Sequence, residues 1–388
     1  MKQLLLSVMA TFVLFFGVST AAWAEEKNVK LVDGVKSAIL IERDTGQVLY
    51  EENSDTPLPP ASMTKIMTLL LIMEALDKGK IQMDEKVRAS EYAASMGGSQ
   101  IFLEPGEEMT VEDLLKGIAI ASGNDASVAM AERIAGSEEQ FVSMMNQKAK
   151  ELGLKNTHFK NSTGLPAKGH YSSAKDMAVI AKELLKYEEI TKFTGTYEDY
   201  LREGTDKKFW LVNTNRLVKF YDGVDGVKTG YTNEAKYCLT ATAKKGNMRV
   251  IAVVFGAKTP KDRNAQITKL LDYAFSQYET HPLFKRNEVV TKAKLSKGSD
   301  KDVQLITSEP VSIITKKGES IDDIKQEIMF KNHLVAPVKK GDELGTLVLK
   351  KNGKVFAESK LVAKQDVRVA SWWKLFKRVL GEWTKADK

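Results

Sequence analysis

Ser37-Ala-Ile-Leu-Ile-Glu42 and Gln47-Val-Leu-Tyr50 are apolar-rich stretches on either side of Arg43-Asp-Thr-Gly46, a pattern that predicts a β-hairpin. Pro57-Leu-Pro-Pro60 signals a helix entry, and Ser62 to Leu76 follows, rich in Met, Leu and Ile and without Gly or Pro. That run predicts a buried helix. Thr110-Val-Glu-Asp113 matches a capping box ahead of Leu114, Leu115 and Ile118. Ser122-Gly-Asn124 breaks this helix from another over Ala126 to Ile134, and helical patterns recur near Phe141–Leu152 and Lys175–Leu185. Tyr237 to Ala243 and Met248 to Gly256 read as strands joined at Lys245-Gly-Asn247, before a closing helix from Asn264 to Tyr278. Strands at both ends with helices between them predict an α+β fold, an antiparallel sheet flanked by helices.

Beyond Pro282 the pattern shortens. Val303-Gln-Leu-Ile306, Val311-Ser-Ile-Ile314 and Gly345-Thr-Leu-Val-Leu349 are strand-like, and Asn352-Gly353 ahead of Val355–Ala357 is a two-residue hairpin turn. Residues 283–366 therefore read as a second, small all-β domain. The C-terminal stretch, residues 367–388, carries a helical pattern from Ser371 to Trp383. Projected at 100° per residue, Trp372, Trp373, Leu375, Phe376, Val379, Leu380 and Trp383 fall within one arc of about 160°. Lys374, Lys377, Arg378 and Glu382 occupy the remainder. An amphipathic helix with three tryptophans and a basic face suits a membrane interface; the alternative is a helix packed on the protein's own surface.

At the other end, Lys2, an apolar run from Leu4 to Val18 and Ala22-Trp-Ala24 form the pattern of a secretory signal over residues 1–24, with an uncleaved anchor as the alternative. Residues 25–282 then form the first domain. Export would place the protein on the outer face of the cytoplasmic membrane, held peripherally by its C-terminal helix. The formal net charge of +7 is spread along the chain, without a nucleic-acid motif beside it. Cys238 is the single cysteine, which excludes an internal disulfide and a cysteine-rich zinc site. It reads as a small buried strand residue. The four histidines, His158, His170, His281 and His333, lack metal-ligand spacing, and most of them read as surface or loop residues. No metal and no cofactor is expected.

Three short motifs carry candidate chemistry. In Ser62-Met-Thr-Lys65 a hydroxyl and an amine share one helical face. The amine can activate the hydroxyl only if burial and neighbouring cations lower its pKa toward neutrality. Ser122-Gly123-Asn124 places a second hydroxyl and an amide at a break inside an almost wholly apolar or small stretch, Gly117 to Met130, so that turn must be hydrogen-bonded or face a pocket. Lys228-Thr229-Gly230 supplies donors for a carboxylate and a residue that allows close backbone approach. Each motif alone also fits an ordinary helix start, turn or strand end.

In this order the motifs resemble the S-x-x-K, S-x-N and K-T-G signature of the penicillin-binding-protein and serine β-lactamase superfamily. Pro60-Ala-Ser-Met-Thr-Lys-Ile-Met-Thr68, Ile120-Ala-Ser-Gly-Asn-Asp-Ala126 and Asp225-Gly-Val-Lys-Thr-Gly-Tyr-Thr232 look like the low-molecular-mass D-alanyl-D-alanine carboxypeptidases, peptidase family S11, and most like the sporulation-associated members from bacilli. The resemblance runs from about residue 35 to the C-terminus. It implies that Ser62 attacks the bond between two terminal D-alanines of a peptidoglycan stem peptide, with Lys65 as base and Ser122 and Lys228 in proton delivery. It further implies an oxyanion hole from the backbone of Ser62 and Tyr231, an amide contact from Asn124, and carboxylate contacts from Thr229 and Arg263. β-Lactam antibiotics would acylate the same serine. Tyr231 departs from the histidine or threonine that often follows K-T-G.

The same motifs would serve a β-lactamase, a transpeptidase or an endopeptidase. Against the first, no Glu-x-x-Leu-Asn pattern is present; Glu198 and Glu203 lie in the relevant region without it. A non-catalytic wall-binding scaffold is the reading from another class, opposed by the completeness of the polar set.

Overall fold

The computed structural model describes residues 30–351 and 353–378. The signal pattern over 1–24, Asn352 and the segment from Val379 onward lie outside the described residues.

The hairpin expected near the start is β1 (Ser37–Glu42) and β2 (Val48–Glu52). Helices follow: α1 (Lys65–Asp77), α2 (Val111–Ala119), α3 (Asn124–Ala135), α4 (Glu138–Glu151) and α5 (Ala174–Leu184). The chain then forms β3 (Val224–Thr232), β4 (Lys236–Lys245) and β5 (Met248–Ala257), and closes with α6 (Pro260–Gln277). The sheet order is β2-β1-β5-β4-β3, antiparallel throughout. β1 pairs with β5 from Ser37↔Phe255 to Glu42↔Val250, so the two ends of the domain are stitched together as the pattern predicts.

All ten residues of β5 are buried, because both faces of the strand are covered. Ile39, Ile41, Ile251, Val253 and Phe255 join the helical core that includes α1 and α5. Their alternate neighbours necessarily face the opposite side, where α6 packs. α1 is buried along nearly its whole length, from Lys65 to Ala75, which explains its continuous apolar composition. Burying each such Leu, Ile or Met side chain contributes about 1.5–3 kcal/mol, the reserve against which buried polar groups are held.

Two boundaries differ from the sequence reading. Ser62 lies on a 3₁₀ turn, Ala61–Thr64, that leads into α1. In that geometry positions i and i+3 eclipse, which brings Ser62 and Lys65 together. α6 begins at Pro260, not Asn264: the Thr259 side chain accepts from the Asp262 N–H and Pro260 occupies the first turn. Arg263 therefore sits inside the first turn of a helix.

A second region is all β. β6 (Tyr278–Phe284) pairs with β9 (Val311–Lys316). β7 (Val289–Lys294), β8 (Asp302–Thr307), β10 (Ile324–Phe330), β11 (Glu343–Lys351) and β12 (Lys354–Ala363) make a sheet in the order β7-β8-β12-β11-β10. Its core includes Val303, Leu305, Ile313, Leu347, Leu349 and Leu361. A helix over residues 372–378 follows. Trp372 and Trp373 are 67% and 65% exposed, and Trp372 stacks on Phe376 at 5.2 Å. Arg378 donates to the carbonyls of Gly298 and Ser299. The aromatic face is thus turned to solvent, not packed on the protein. Among the described residues no helix is long and apolar enough to cross a membrane.

Candidate active site

Lys65 is the centre of the site. Its side chain is completely buried, and its Nζ lies 2.6 Å from Asn124 Oδ1, 2.7 Å from the Thr163 carbonyl and 3.2 Å from Ser62 Oγ. Burial, helped by the like charge of Lys228 and opposed by Asp125, holds its pKa well below the ordinary lysine value. A neutral amine has two N–H donors and one lone pair. The two short contacts go to oxygens that can only accept, so the N–H groups satisfy Asn124 and Thr163. The lone pair is left for the Ser62 hydroxyl, which gives this amine the geometry of a general base.

Three elements hold that arrangement. Asn124 opens α3; its Nδ2 donates to the Gly97 carbonyl at 2.6 Å, which fixes Oδ1 toward Lys65. Beside it, the buried Asp125 carboxylate accepts from the N–H groups of Ile101, Leu103 and Ala126, tying the 97–103 loop to the start of α3. Beneath the nucleophile, Asn161 Oδ1 accepts from the Thr163 and Gly164 N–H groups and presents the Thr163 carbonyl. Thr68 donates to the Ser162 carbonyl at 2.7 Å. His170 lies in a loop but is buried, 7% exposed and 2.8 Å from Thr64 Oγ1. Burial, with His158 and Lys160 nearby, pushes its pKa down to about 4.

Ser122 has φ +66, in the left-handed region, and is 3% exposed, and its Oγ has no hydrogen-bond partner among the described residues. Holding a non-glycine residue in that region costs free energy that the fold supplies elsewhere.

β3 forms the other wall. It is the edge strand of the sheet, so one row of its backbone groups is open. Lys228 is 1% exposed, and burial followed by the charge of Arg263 lowers its pKa to about 7. Thr229 donates to Thr214 Oγ1 at 2.7 Å. Asn213 donates to the carbonyls of Thr194 and Thr196, and Asn215 to that of Gly226, bracing the strand from behind. A Cβ on Gly230 would stand 2.7 Å from the Pro60 carbonyl, so glycine is what lets β3 reach the Ser62 turn. Arg263 is 5% exposed, donates to Asn264 Oδ1 and interacts electrostatically with Lys228; burial brings its pKa down to about 10. Tyr231 is half exposed and stacks on Tyr237 with ring centres 4.4 Å apart.

The three motifs, distant in sequence, therefore meet around one amine. Residues 26–259 match the family described as D-alanyl-D-alanine carboxypeptidase, peptidase S11. The chain belongs to that family. Residues 278–369 match the C-terminal domain of penicillin-binding protein 5. D-alanyl-D-alanine carboxypeptidase DacF of Bacillus subtilis is 70% identical over 99% of this chain and 100% of its own length. DacA of Escherichia coli is 36% identical over 90% of this chain and 89% of its own. Penicillin-binding protein 5 from Haemophilus influenzae superposes with a TM-score of 0.67 at 32% identity, covering 86% of this chain and 98% of that one.

Within this family frame, the groups that the sequence reading missed are Thr163, Asn161, Asp125 and Thr214. Thr163 acts through a backbone carbonyl, which leaves no side-chain signature. Glu203, weighed as a deacylating base, is exposed and 3.4 Å from Lys208. The acid that reaches the loop under Ser62 is Glu138. One of its oxygens accepts from the Ser162 N–H and hydroxyl and the other from the Tyr92 hydroxyl, which ties this acid into the loop's support.

Gly164 tests how closely this loop supports the nucleophile. Its φ is +83, and a Cβ there would stand 1.8 Å from the Ala61 carbonyl oxygen. Gly164→Ala is expected to destabilise the protein by about 1–3 kcal/mol, read as a lower urea midpoint at unchanged slope.

Proposed function

We propose that this enzyme hydrolyses the terminal D-Ala-D-Ala bond of peptidoglycan stem pentapeptides through an acyl-enzyme on Ser62, so limiting the pentapeptide available for cross-linking. The observation that carries the reading is the Lys65 amine, buried and held by two acceptors with its third direction on Ser62 Oγ. Ser62 Oγ attacks the carbonyl carbon of the penultimate D-alanine while its proton passes to Lys65 Nζ. The backbone N–H groups of Ser62 and Tyr231 receive the oxyanion. The C–N bond then breaks, and the departing amine takes a proton relayed through the Ser122 hydroxyl, with Lys228 beside it. The unpartnered Ser122 Oγ supports that role, because a substrate or transferred proton would complete its hydrogen bonding. Asn124 holds the substrate amide, while Thr229 and Arg263 hold the terminal carboxylate. Gly230 lets an extended peptide lie along the open edge of β3. Water finally hydrolyses the ester. β-Lactams, which present a similar amide to Ser62, are covalent inhibitors.

In this reading residues 25–282 are the peptidase domain, 283–366 the small β domain and 367–388 a membrane anchor. The N-terminal signal pattern supports export to the outer face of the cytoplasmic membrane, where the substrate lies. The solvent-facing Trp372, Trp373 and Phe376 support peripheral attachment to lipid. The likeness to sporulation-associated carboxypeptidases of bacilli supports a role during sporulation.

Mass spectrometry after brief penicillin exposure is expected to find one adduct, on the peptide containing Ser62, absent in Ser62→Ala. An adduct elsewhere, or no D-alanine released from a pentapeptide, would overturn the reading.

The pH dependence follows from the two lysines. Raising pH removes the Lys65 proton and frees its lone pair, so kcat/KM rises. Above the Lys228 value of about 7 the ammonium beside the substrate is lost, so kcat/KM falls. D-Alanine release from about pH 5 to 10 should be bell-shaped. Lys228→Arg should move the alkaline limb upward, since a guanidinium stays charged.

Deleting residues 371–388 should abolish sedimentation with anionic lipid vesicles and leave D-alanine release intact. Vesicle binding that persists would reject the helix as the anchor.

A further inference from the structure

His170 joins the two pieces of backbone between which Lys65 is held. One is the turn that carries Ser62 and Lys65. The other is the loop from Phe159 to Gly164, whose Thr163 carbonyl accepts from Lys65 Nζ and whose Ser162 carbonyl accepts from Thr68. The imidazole is buried, with Nε2 2.8 Å from Thr64 Oγ1 and Nδ1 accepting from the Lys160 N–H at 3.3 Å. Thr64 is wholly buried and directly precedes Lys65, and Lys160 stands three residues before Thr163. The ring packs edge-on against Phe159, with centres 5.9 Å apart and planes at 82°.

The tautomer follows from the partners. A backbone N–H can only donate, so Nδ1 is the unprotonated nitrogen and Nε2 carries the hydrogen, which it gives to Thr64 Oγ1. A second proton on Nδ1 would set one donor against another and bury a charge, and the nearby His158 and Lys160 both oppose it, so the imidazole is neutral. Other groups fix other parts of the same loop. Asn146 bonds both backbone groups of Phe159, and Asn161 Oδ1 accepts from the Thr163 and Gly164 N–H groups. Of these three supports, His170 is the one that also reaches the turn carrying the nucleophile.

We infer that His170 is a positioning residue for the general base: a neutral strut that ties the turn carrying Ser62 and Lys65 to the loop presenting the Thr163 carbonyl. The inference rests on the functional reading above, in which Lys65 takes the Ser62 proton. With the strut in place the Thr163 carbonyl stays on Lys65, water stays out, and the amine lone pair points at Ser62 Oγ. Without it the loop and the turn lose their buried link, and water reaches the amine. A hydrated amine titrates closer to the ordinary lysine value, so its lone pair becomes available only at higher pH. Lys228 and Asp125, the charges that act on Lys65, stay as they are when the strut is lost, so a shift reports hydration of the amine.

The test follows the rate of Ser62 acylation by penicillin in the full-length enzyme from about pH 5 to 10. His170, with its pKa pushed down to about 4, is neutral through that range, so the rising limb of the rate reports on Lys65. His170→Leu removes both bonds. Thr64→Val removes the acceptor with almost no change of shape. His170→Gln keeps one donor and one acceptor and does not titrate. His170→Leu and Thr64→Val should each slow acylation near neutral pH by about ten- to hundredfold, because a displaced base loses its alignment. Both should also move the rising limb to higher pH. His170→Gln should restore most of the rate and leave the limb in place. Circular dichroism melting checks each variant, and Thr64→Val tests the strut even if His170→Leu does not fold. A rate and limb unchanged in Thr64→Val would overturn the role. So would a lower melting temperature with unchanged acylation, or a His170→Gln variant as slow as His170→Leu. Absence of any Ser62 adduct in the wild type would instead overturn the functional reading, and this inference with it.

Discussion

The site depends on keeping one amine dry. Removing a charged ammonium from water costs several kcal/mol even after relaxation, so a wholly buried lysine without a carboxylate partner is neutral in preference to charged. Lys65 meets two carbonyl-type oxygens and one hydroxyl, and the Asp125 carboxylate reaches it only as a distant charge while bonding three backbone N–H groups. Had a carboxylate replaced the Thr163 carbonyl, Lys65 would hold its proton and could not accept another. The absence of a strong anion at this one position is what turns a structural lysine into a base.

That requirement dictates the architecture around it. The dry wall comes from α1, buried along nearly its whole length, and the acceptors come from two other segments, α3 and the Ser162–Gly164 loop. β3 closes the remaining side, brought near by Gly230. The second cation, Lys228, lowers the Lys65 pKa by repulsion, and Arg263 does the same to Lys228. With Lys65 neutral, Lys228 and Arg263 remain as neighbouring buried cations, and on the proposed reading an incoming carboxylate would relieve their repulsion.

Much of this was legible in the chain. The paired terminal strands, the buried helix after Ser62 and the capping box at Thr110 follow from periodicity and local hydrogen-bonding chemistry, and the structure has all three. The start of α6 was read four residues late. The Thr259-Pro260-Lys261-Asp262 sequence is a capping signature, but the apolar positions that define periodicity begin only at Ile267. The supports of the site were less visible for a different reason. Thr163 serves through its carbonyl, and Asn161, Asn213 and Asn215 serve by fixing backbone groups. Any asparagine in a loop looks the same in sequence until the fold decides what surrounds it.

The two ends of β3 carry different electrostatic characters. Toward Lys228 and Thr229 the wall is cationic and buried, so an anionic group bound there would interact strongly. Toward Glu234 the charges are exposed and opposed in sign, so electrostatic interactions there are screened and modest. In the proposed reaction the reacting carbonyl lies at Tyr231, so a buried contact on the leaving side can be spent on the transition state. On that reading the chemistry rests on the buried stretch of β3 and on the Lys65 amine, while the exposed residues beyond Thr232 are under no such constraint.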